Sequence, residues 1–185
     1  FAATSNGSVI VGGTSSAMTL TGTAENINSF LDTASNIQYT SAANASGDDA
    51  ATLTIKANDG TDDSAISTVN LDITAVNDAP TLSGAPTDIS VTEDVASDVD
   101  LSALSFTDLD GDTLTVTLTA SAGSLTATAK GSVPAGRTSS VMTLTGTAAN
   151  INSFLDTASN IQYTSAANVN GDDVATLTIK ANDGT

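Results

Sequence analysis

The segment Leu71-Asp-Ile-Thr-Ala-Val-Asn-Asp-Ala-Pro80 joins two different sequence patterns near the middle of the 185-residue chain. An alternating, strand-like pattern runs up to Val76, and Asn-Asp-Ala-Pro follows it at positions 77–80. Pro80 fixes its own φ angle and pushes the preceding residue towards an extended conformation. The segment is therefore interpreted as a stiff joint, provided that its negative charge is neutralised.

Apolar and polar residues alternate on both sides of this joint. Thr-Leu-Thr-Val-Thr-Leu-Thr-Ala at 113–120 places apolar side chains on one face and threonines on the other, and residues 68–75 do the same. Threonine is β-branched and suits the solvent face of a sheet. Further strands are predicted at residues 52–57, 99–106, 123–129, 141–145 and 176–181, with shorter ones at Tyr39 and Tyr163 that lead into Gly-Asp-Asp turns.

One segment breaks the alternation. Ile27, Phe30 and Leu31 have the spacing of one helix face, and Thr23 can cap the first turn. A short helix is predicted at residues 23–32 and again at 147–156. The whole pattern predicts an all-β fold, an antiparallel sandwich of about seven strands with one short helical crossover per repeat.

The chain contains an internal repeat with a period of 124 residues. Residues 1–61 align with residues 125–185 without a gap, and 49 of the 61 pairs are identical. Near-identical copies indicate a tandem array. Residues 1–78 are interpreted as the C-terminal part of one repeat, and residues 79–185 as the next repeat without its last strand. We expect the chain to be cut from a longer protein, with sheet edges exposed at both ends.

Composition excludes several classes of function. Four Lys and Arg against 21 Asp and Glu give a formal net charge of -17, which argues against nucleic acid as a partner. The absence of Cys and His excludes thiol catalysis, imidazole bases and the usual zinc sites. No apolar run is long enough to insert into a membrane. We expect the protein not to be an enzyme, and interpret Lys56 and Lys180 as solvated strand residues.

Acidic residues concentrate in a few short loops. These clusters are Asp108-Leu-Asp-Gly-Asp112, Gly-Asp-Asp at 47–49 and 171–173, Asn-Asp at 58–59, 77–78 and 182–183, and Glu-Asp at 93–94. Oxygen ligands on flexible loops are those that calcium prefers. The alternative is that Asp, Asn and Gly gather in turns because they tolerate the dihedral angles of turns.

The order of the strands favours the metal site. If residues 99–106 run towards the preceding repeat, the Asp108 loop lies at that end, and the strand before Asp183 brings this carboxylate there. The acidic pair at 48–49 begins the equivalent strand of the preceding copy at its far end. We therefore expect these groups to converge on Asn77 and Asp78. Uncompensated carboxylates would repel one another there, which argues for a bound cation.

Together these motifs resemble the cadherin-like extender repeats of large bacterial calcium-dependent surface adhesins. Val-Asn-Asp-Ala-Pro at 76–80 is similar to the cadherin interdomain linker, and Asp-Leu-Asp-Gly at 108–111 to the Asp-x-Asp loop. Ile-Lys-Ala-Asn-Asp-Gly at 179–184 is similar to the strand ending of the family. Tyr39 followed by Gly-Asp-Asp resembles the bacterial Tyr…Gly-x-Asp signature, whereas Ala75 stands where the family has an acidic residue.

The resemblance implies an Ig/cadherin-like sandwich and a set of Ca²⁺ ligands at each joint. The joint between the two copies would use Asp48, Asp49, Asn77, Asp78, the carbonyl of Ala79, Asp108, Asp110 and Asp183. Asp59 would face a joint before residue 1. A joint after residue 185 would use Glu93, Asp172 and Asp173.

The leading hypothesis is a non-enzymatic extender repeat on a bacterial cell surface, stiffened by extracellular calcium, that spaces a distal binding domain from the cell. Its partners would be adjacent repeats of the same chain and, through exposed sheet edges, other copies. One alternative is a carbohydrate- or cell-binding module, although the chain has few aromatic residues to form a sugar platform. The other is a subunit of a surface filament whose copies complement each other's missing strands.

Overall fold

The computed structural model of the chain describes residues 1–5, 7–127, 135–137 and 140–185, the short middle range as backbone only. The chain divides into two compact units, Phe1–Val76 and Asn77–Thr185, here called unit 1 and unit 2. Strands predominate in both, and every described sheet pairing is antiparallel, so the all-β class is confirmed.

The described residues of unit 1 form six strands in three two-stranded sheets, together with one α-helix. The sheets pair β1 with β4, β2 with β3, and β5 with β6. The elements are β1 (Ala2–Ala3), β2 (Ile10–Gly13), β3 (Met18–Thr21), α1 (Ala24–Leu31), β4 (Ile37–Gln38), β5 (Gly47–Ile55) and β6 (Ser67–Ile73). Among the described residues of this unit, only Val9 and Phe30 are fully buried apolar side chains.

Unit 2 has nine described strands and a larger core. Its elements are β7 (Thr81–Ser83), β8 (Ser97–Asp98), β9 (Ser105–Thr107), β10 (Thr113–Ala120), β11 (Ser124–Ala127), β12 (Ala135–Arg137), β13 (Val141–Thr147), α2 (Ala148–Leu155), β14 (Ile161–Thr164) and β15 (Leu177–Asn182). They form a four-stranded sheet in the order β12-β13-β10-β15, a three-stranded sheet β11-β14-β8, and the pair β7-β9.

Side chains from both larger sheets and from α2 share one hydrophobic core in unit 2. β10 buries Leu114, Val116 and Leu118 with relative exposures of 1% or less, as its alternating sequence predicts. Other members of this core are Leu125 of β11, Met142 and Leu144 of β13, Phe154 of α2 and Ile161 of β14. Full burial of each such side chain contributes about 1.5–3 kcal/mol relative to its exposure.

Both predicted helices are present and begin at the expected caps. The hydroxyl of Thr23 accepts from the backbone N–H of Asn26, and Thr147 makes the same bond with Asn150. Each helix is eight residues long. In the part of the chain that is described, no helix has the length and apolar character needed to span a membrane.

Residues 99–106 do not form one strand, so that prediction is wrong. A turn containing Ser102 separates β8 from β9. The carboxylate of Asp100 accepts from the backbone N–H of Ser102 at 3.0 Å and from its hydroxyl at 2.7 Å, and Leu104 N–H donates to the Leu101 carbonyl at 2.9 Å. Such local side-chain bonds replace the ladder bonds that a strand would need.

Several strand boundaries also differ from the predicted ones. β4 ends at Gln38, one residue before Tyr39, whereas Tyr163 lies within β14. The strand predicted at 123–129 is described as β11, and Thr128 and Ala129 lie outside the described residues. In unit 1 the predicted Gly-Asp-Asp turn is instead the start of β5, which is extended because β6 pairs with it.

Candidate metal centre

The Asp108 loop connects β9 to β10 and gathers three carboxylates. Asp108, Asp110 and Asp112 each present an oxygen, and these atoms all lie within 4.8 Å of one another. Gly111 has a φ of 75°, which a glycine adopts readily and which turns the chain back into β10. The loop therefore holds the three acidic side chains on one short connection.

One oxygen of this cluster is buried without a hydrogen-bond partner. Oδ1 of Asp108 accepts from the backbone N–H of Asp112 at 3.0 Å, but Oδ2 is buried and accepts no hydrogen bond. A buried polar atom that is left unsatisfied is costly, and more so when it carries charge. A bound cation would satisfy this oxygen.

The joint segment is attached to the same loop and to the end of β15. The backbone N–H of Asp78 donates to Oδ2 of Asp110 at 2.7 Å. Nδ2 of Asn77 donates to Oδ2 of Asp183 at 2.8 Å and to the hydroxyl of Thr185 at 2.9 Å. Within unit 2, the structure thus connects Asp110 and Asp183 with the joint.

The hydrogen bonds at Asp183 favour its charged form. The bond from the Asn77 amide, followed by those from Thr185, holds the pKa of the Asp183 carboxyl below its ordinary value. Asp183 is only partly covered from solvent, so this preference has little weight in the stability of the fold. Ala79, whose carbonyl is a predicted ligand, is also exposed.

A second group of three carboxylates lies in unit 1. Asp48 and Asp49 of β5 and Asp72 of β6 present oxygens within 4.8 Å of one another, and all three residues are exposed. The backbone N–H of Asp49 donates to Oδ1 of Asp72 at 3.0 Å, and Asp49 itself has a φ of 54°. The pairing of β5 with β6 shifts its register here, which turns both residues towards Asp72.

Asp59 is engaged in its own turn. Its Oδ1 accepts from the backbone N–H groups of Thr61 and Asp62, each at 2.9 Å, and the bond from Asp62 is the largest cause of the lowered pKa of Asp59. Nearby, Lys56 forms an exposed ion pair with Asp63 at 2.7 Å. These bonds are those of a polar turn.

The three residues expected to face a following joint surround one cavity in unit 2. Glu93, Asp172 and Asp173 all line this cavity of about 440 Å³. Oε2 of Glu93 accepts from Nδ2 of Asn170 at 2.8 Å. Among the described residues, however, these three are not one of the groups whose oxygens lie within 4.8 Å of one another.

Two members of the acidic groups were not among the predicted ligands, namely Asp72 and Asp112. Asp112 closes a loop of which Asp108 and Asp110 were predicted, so its spacing was a sufficient signal. Asp72 lies on the polar face of an alternating strand. Only the pairing of β5 with β6 places it beside the acidic pair at 48–49, and no single segment of sequence shows that pairing.

Both acidic groups offer only oxygen ligands and lie at exposed turns or strand ends, an arrangement that can hold a hard divalent cation. Neither group includes a nucleophile with an adjacent base. Compared with known proteins, the chain matches no protein-family model, no curated protein and no solved structure.

Proposed function

We propose that the chain is part of a calcium-binding, cadherin-like extender repeat of a bacterial cell-surface adhesin. In this role it is not an enzyme; it spaces a distal binding domain from the cell. Calcium restrains the segment at which unit 1 and unit 2 meet in sequence. The shared core of the four-stranded and three-stranded sheets of unit 2 supports a β-sandwich architecture for each repeat.

The observation that carries the proposal is the buried, unpartnered Oδ2 of Asp108 within a group of three carboxylates. Turn chemistry alone accounts for exposed Asp and Gly residues, but it gives no reason to bury a carboxylate oxygen without a donor. A cation ligated by Asp108, Asp110 and Asp112 removes that cost and the mutual repulsion of the three charges.

Calcium is the cation that best fits the donor set. The chain has no Cys or His, so the thiolate and imidazole ligands that zinc and copper prefer are absent. Calcium accepts irregular shells of six to eight oxygens, whereas magnesium needs a near-ideal octahedron. Extracellular modules bind calcium with dissociation constants of about 10⁻⁴–10⁻³ M, which matches its concentration outside cells.

Calorimetric titration of calcium into the full chain and the variant Asp110→Ala tests the proposal. Removing one charged ligand of the loop should reduce the affinity by about tenfold or more, since a contact to a charged group contributes about 1.5–3 kcal/mol. Asp156→Ala is the matched control, because Asp156 is exposed in the same unit and belongs to neither group.

The proposal predicts a calcium isotherm for the parent that Asp156→Ala leaves unchanged and Asp110→Ala weakens. Equal affinity of all three proteins would mean that the Asp108 loop is only a polar turn. Titration with magnesium under the same conditions should give the weaker binding.

A further inference from the structure

Two asparagines of the chain, Asn6 and Asn170, are followed directly by glycine, and only Asn170 lies among the described residues. The backbone nitrogen of the next residue can attack an asparagine side chain and close a five-membered ring, because both groups belong to one short stretch of chain. A glycine in the second position favours this ring, since it has no Cβ to obstruct the approach. The pair at 170–171 is therefore a candidate for chemical modification.

The local structure leaves Asn170 accessible. It is exposed and lies in the irregular segment between β14 and β15. Ser46, at the corresponding position of the other copy, is also exposed and directly precedes β5. Because Asn170 belongs to no helix or strand, its side chain can turn without breaking a ladder of backbone hydrogen bonds.

A related pair in unit 1, Asp59 followed by Gly60, is restrained by a local hydrogen bond. The N–H of Gly60 donates to Oδ1 of Asn58 at 2.7 Å. This bond holds the nitrogen that would have to attack the Asp59 side chain. Two positions before Gly171 stands Val169, whose side chain has no acceptor, so it offers no such restraint to the nitrogen of Gly171.

The side chain of Asn170 has one hydrogen-bond partner among the described residues. Its Nδ2 donates to Oε2 of Glu93 at 2.8 Å. The bond holds the amide in one position, whereas ring closure requires the side chain to turn towards the nitrogen of Gly171. Glu93 therefore slows the reaction without preventing it, because an exposed hydrogen bond contributes little net free energy.

We propose that Asn170 is a site of non-enzymatic deamidation and that its hydrogen bond to Glu93 restrains the rate. The nitrogen of Gly171 gives its proton to solvent and bonds to Cγ of Asn170, and the bond from Cγ to Nδ2 breaks with release of ammonia. Water then opens the cyclic imide at either carbonyl. The products are aspartate and isoaspartate. One water is consumed for each ammonia released, and nothing is oxidised or reduced.

The consequence is a local change of charge. The reaction puts a carboxylate where an amide donated to Glu93, so repulsion replaces that hydrogen bond. Two neighbouring bonds remain: Asp94 N–H donates to Oγ of Ser165 at 3.0 Å, and Oδ1 of Asp94 accepts from Asn168 N–H at 3.1 Å. The other copy has Ser46 at this position and cannot react in this way, so deamidation makes the two copies differ further.

Incubation of the full chain at mildly alkaline pH, followed by peptide mapping with tandem mass spectrometry, tests the site. Each event raises the mass of a peptide by about 1 Da, and fragmentation assigns it to one asparagine. Asn170 should react about tenfold or more faster than Asn168, which is exposed in the same segment but precedes Val169. The rate should rise with pH, because the attacking nitrogen must lose its proton. Equal rates at the two asparagines overturn the site.

Two substitutions of Glu93 test the restraint. Glu93→Ala removes the acceptor and should speed the conversion of Asn170 by about threefold or more. Glu93→Gln is the matched control, since it keeps an acceptor oxygen and removes the charge, and it should leave the rate near that of the parent. An unchanged rate in Glu93→Ala, or equal acceleration by both variants, overturns the restraint by the hydrogen bond. Circular dichroism verifies that both variants are folded.

Discussion

The side chain of Asn77 donates a hydrogen bond of 2.8 Å to Asp183, and this bond is the largest cause of the lowered pKa of that carboxyl. Because the folded pKa of Asp183 is lowered, this interaction is present above the unfolded pKa of about 3.9 and is lost as the pH falls through the folded value. Asn77→Ala should therefore raise the pKa of Asp183 towards its ordinary value. Carboxyl chemical shifts in an NMR pH titration measure the change.

Asp63 serves as the internal control in the same titration. Its pKa is lowered by the hydrogen bonds from Lys56 and Asn58, neither of which involves Asn77. The Asn77→Ala change should leave the Asp63 titration unaltered. An unchanged Asp183 curve would show that its hydrogen bonds to Thr185 are sufficient.

Two glycines with the same backbone conformation should respond differently to alanine. Gly123 and Gly111 have φ values of 74° and 75°, so each substitution costs about 1–2 kcal/mol of backbone strain. A Cβ at Gly123 would also collide with the carbonyl of Thr164 and the ring of Tyr163, whereas one at Gly111 meets nothing within 4 Å. Gly123→Ala should cost about 1–3 kcal/mol more. Urea unfolding in chelator compares the two variants, and equal midpoints would contradict the predicted collision.

For single residues, the sequence predicted which side chains lie close together only where they are also close in the chain. Asp108 and Asp110 stand in one short loop, and their proximity follows from their spacing alone. Asp72 could not be predicted, because its place beside Asp49 depends on a strand pairing and a register shift. The unpartnered oxygen of Asp108 is likewise visible only once the loop is folded against its neighbours.

At the scale of elements, α2 is attached to the edge of β9 by one side chain. Asn152 accepts from the backbone N–H of Phe106 and donates to its carbonyl, each at 2.9 Å. Asn152→Ala should lower the free energy of unfolding of unit 2 by about 2–4 kcal/mol, because two backbone groups of a buried residue lose their partner. Thermal unfolding measured by circular dichroism gives the difference.

The repeat supplies the matched control for this substitution. Asn28 occupies the same position in α1, is exposed, and makes no side-chain hydrogen bond among the described residues. Asn28→Ala should therefore change stability by less than about 0.5 kcal/mol. Equal losses from both substitutions would contradict this assignment, since replacing Asn by Ala raises helix propensity and only Asn152 contacts β9.

Elements with a strong local signal were predicted well. Thr23 and Thr147 cap their helices because capping needs only residues three positions apart, and β10 follows its alternating threonines. The error at residues 99–106 has a local cause too, since Asp100 and Ser102 form a turn that an apolar pattern conceals. The helices α1 and α2 are two copies of one sequence segment, yet α2 buries more of its side chains. Their burial depends on the strands that surround each helix and not on the helix sequence.

For the whole molecule, the proposed calcium binding predicts a response in solution scattering. Calcium should narrow the distribution of distances between the two units. In chelator the joint has no calcium, and its carboxylates repel one another. Small-angle scattering of the full chain with calcium and with chelator measures this. Sodium chloride added to equal ionic strength is the control, because it screens the charges without bridging them. Identical profiles in all three conditions would reject stiffening by calcium.

The sequence predicted the fold class of the molecule better than it predicted where the hydrophobic core lies. The repeat and the alternating strands led to an all-β chain, which the antiparallel sheets confirm. The distribution of the core could not be predicted. Unit 2 buries residues from five strands, from the β8–β9 connection and from α2, whereas near-identical segments in unit 1 remain largely exposed. This difference in burial depends on which strands pack against each segment. A comparison of the two copies of the sequence does not show those neighbours.

Each unit carries a single tyrosine, and the chain has no tryptophan. The ring of Tyr39 lies 5.1 Å from that of Phe1 and is 41% exposed, whereas the hydroxyl of Tyr163 donates to the Ala122 carbonyl at 2.9 Å. The tyrosine fluorescence of the protein is therefore the sum of the emission from two side chains in different surroundings. Replacing Tyr39 by phenylalanine leaves one tyrosine, so that the tyrosine emission of such a variant comes from the second unit alone.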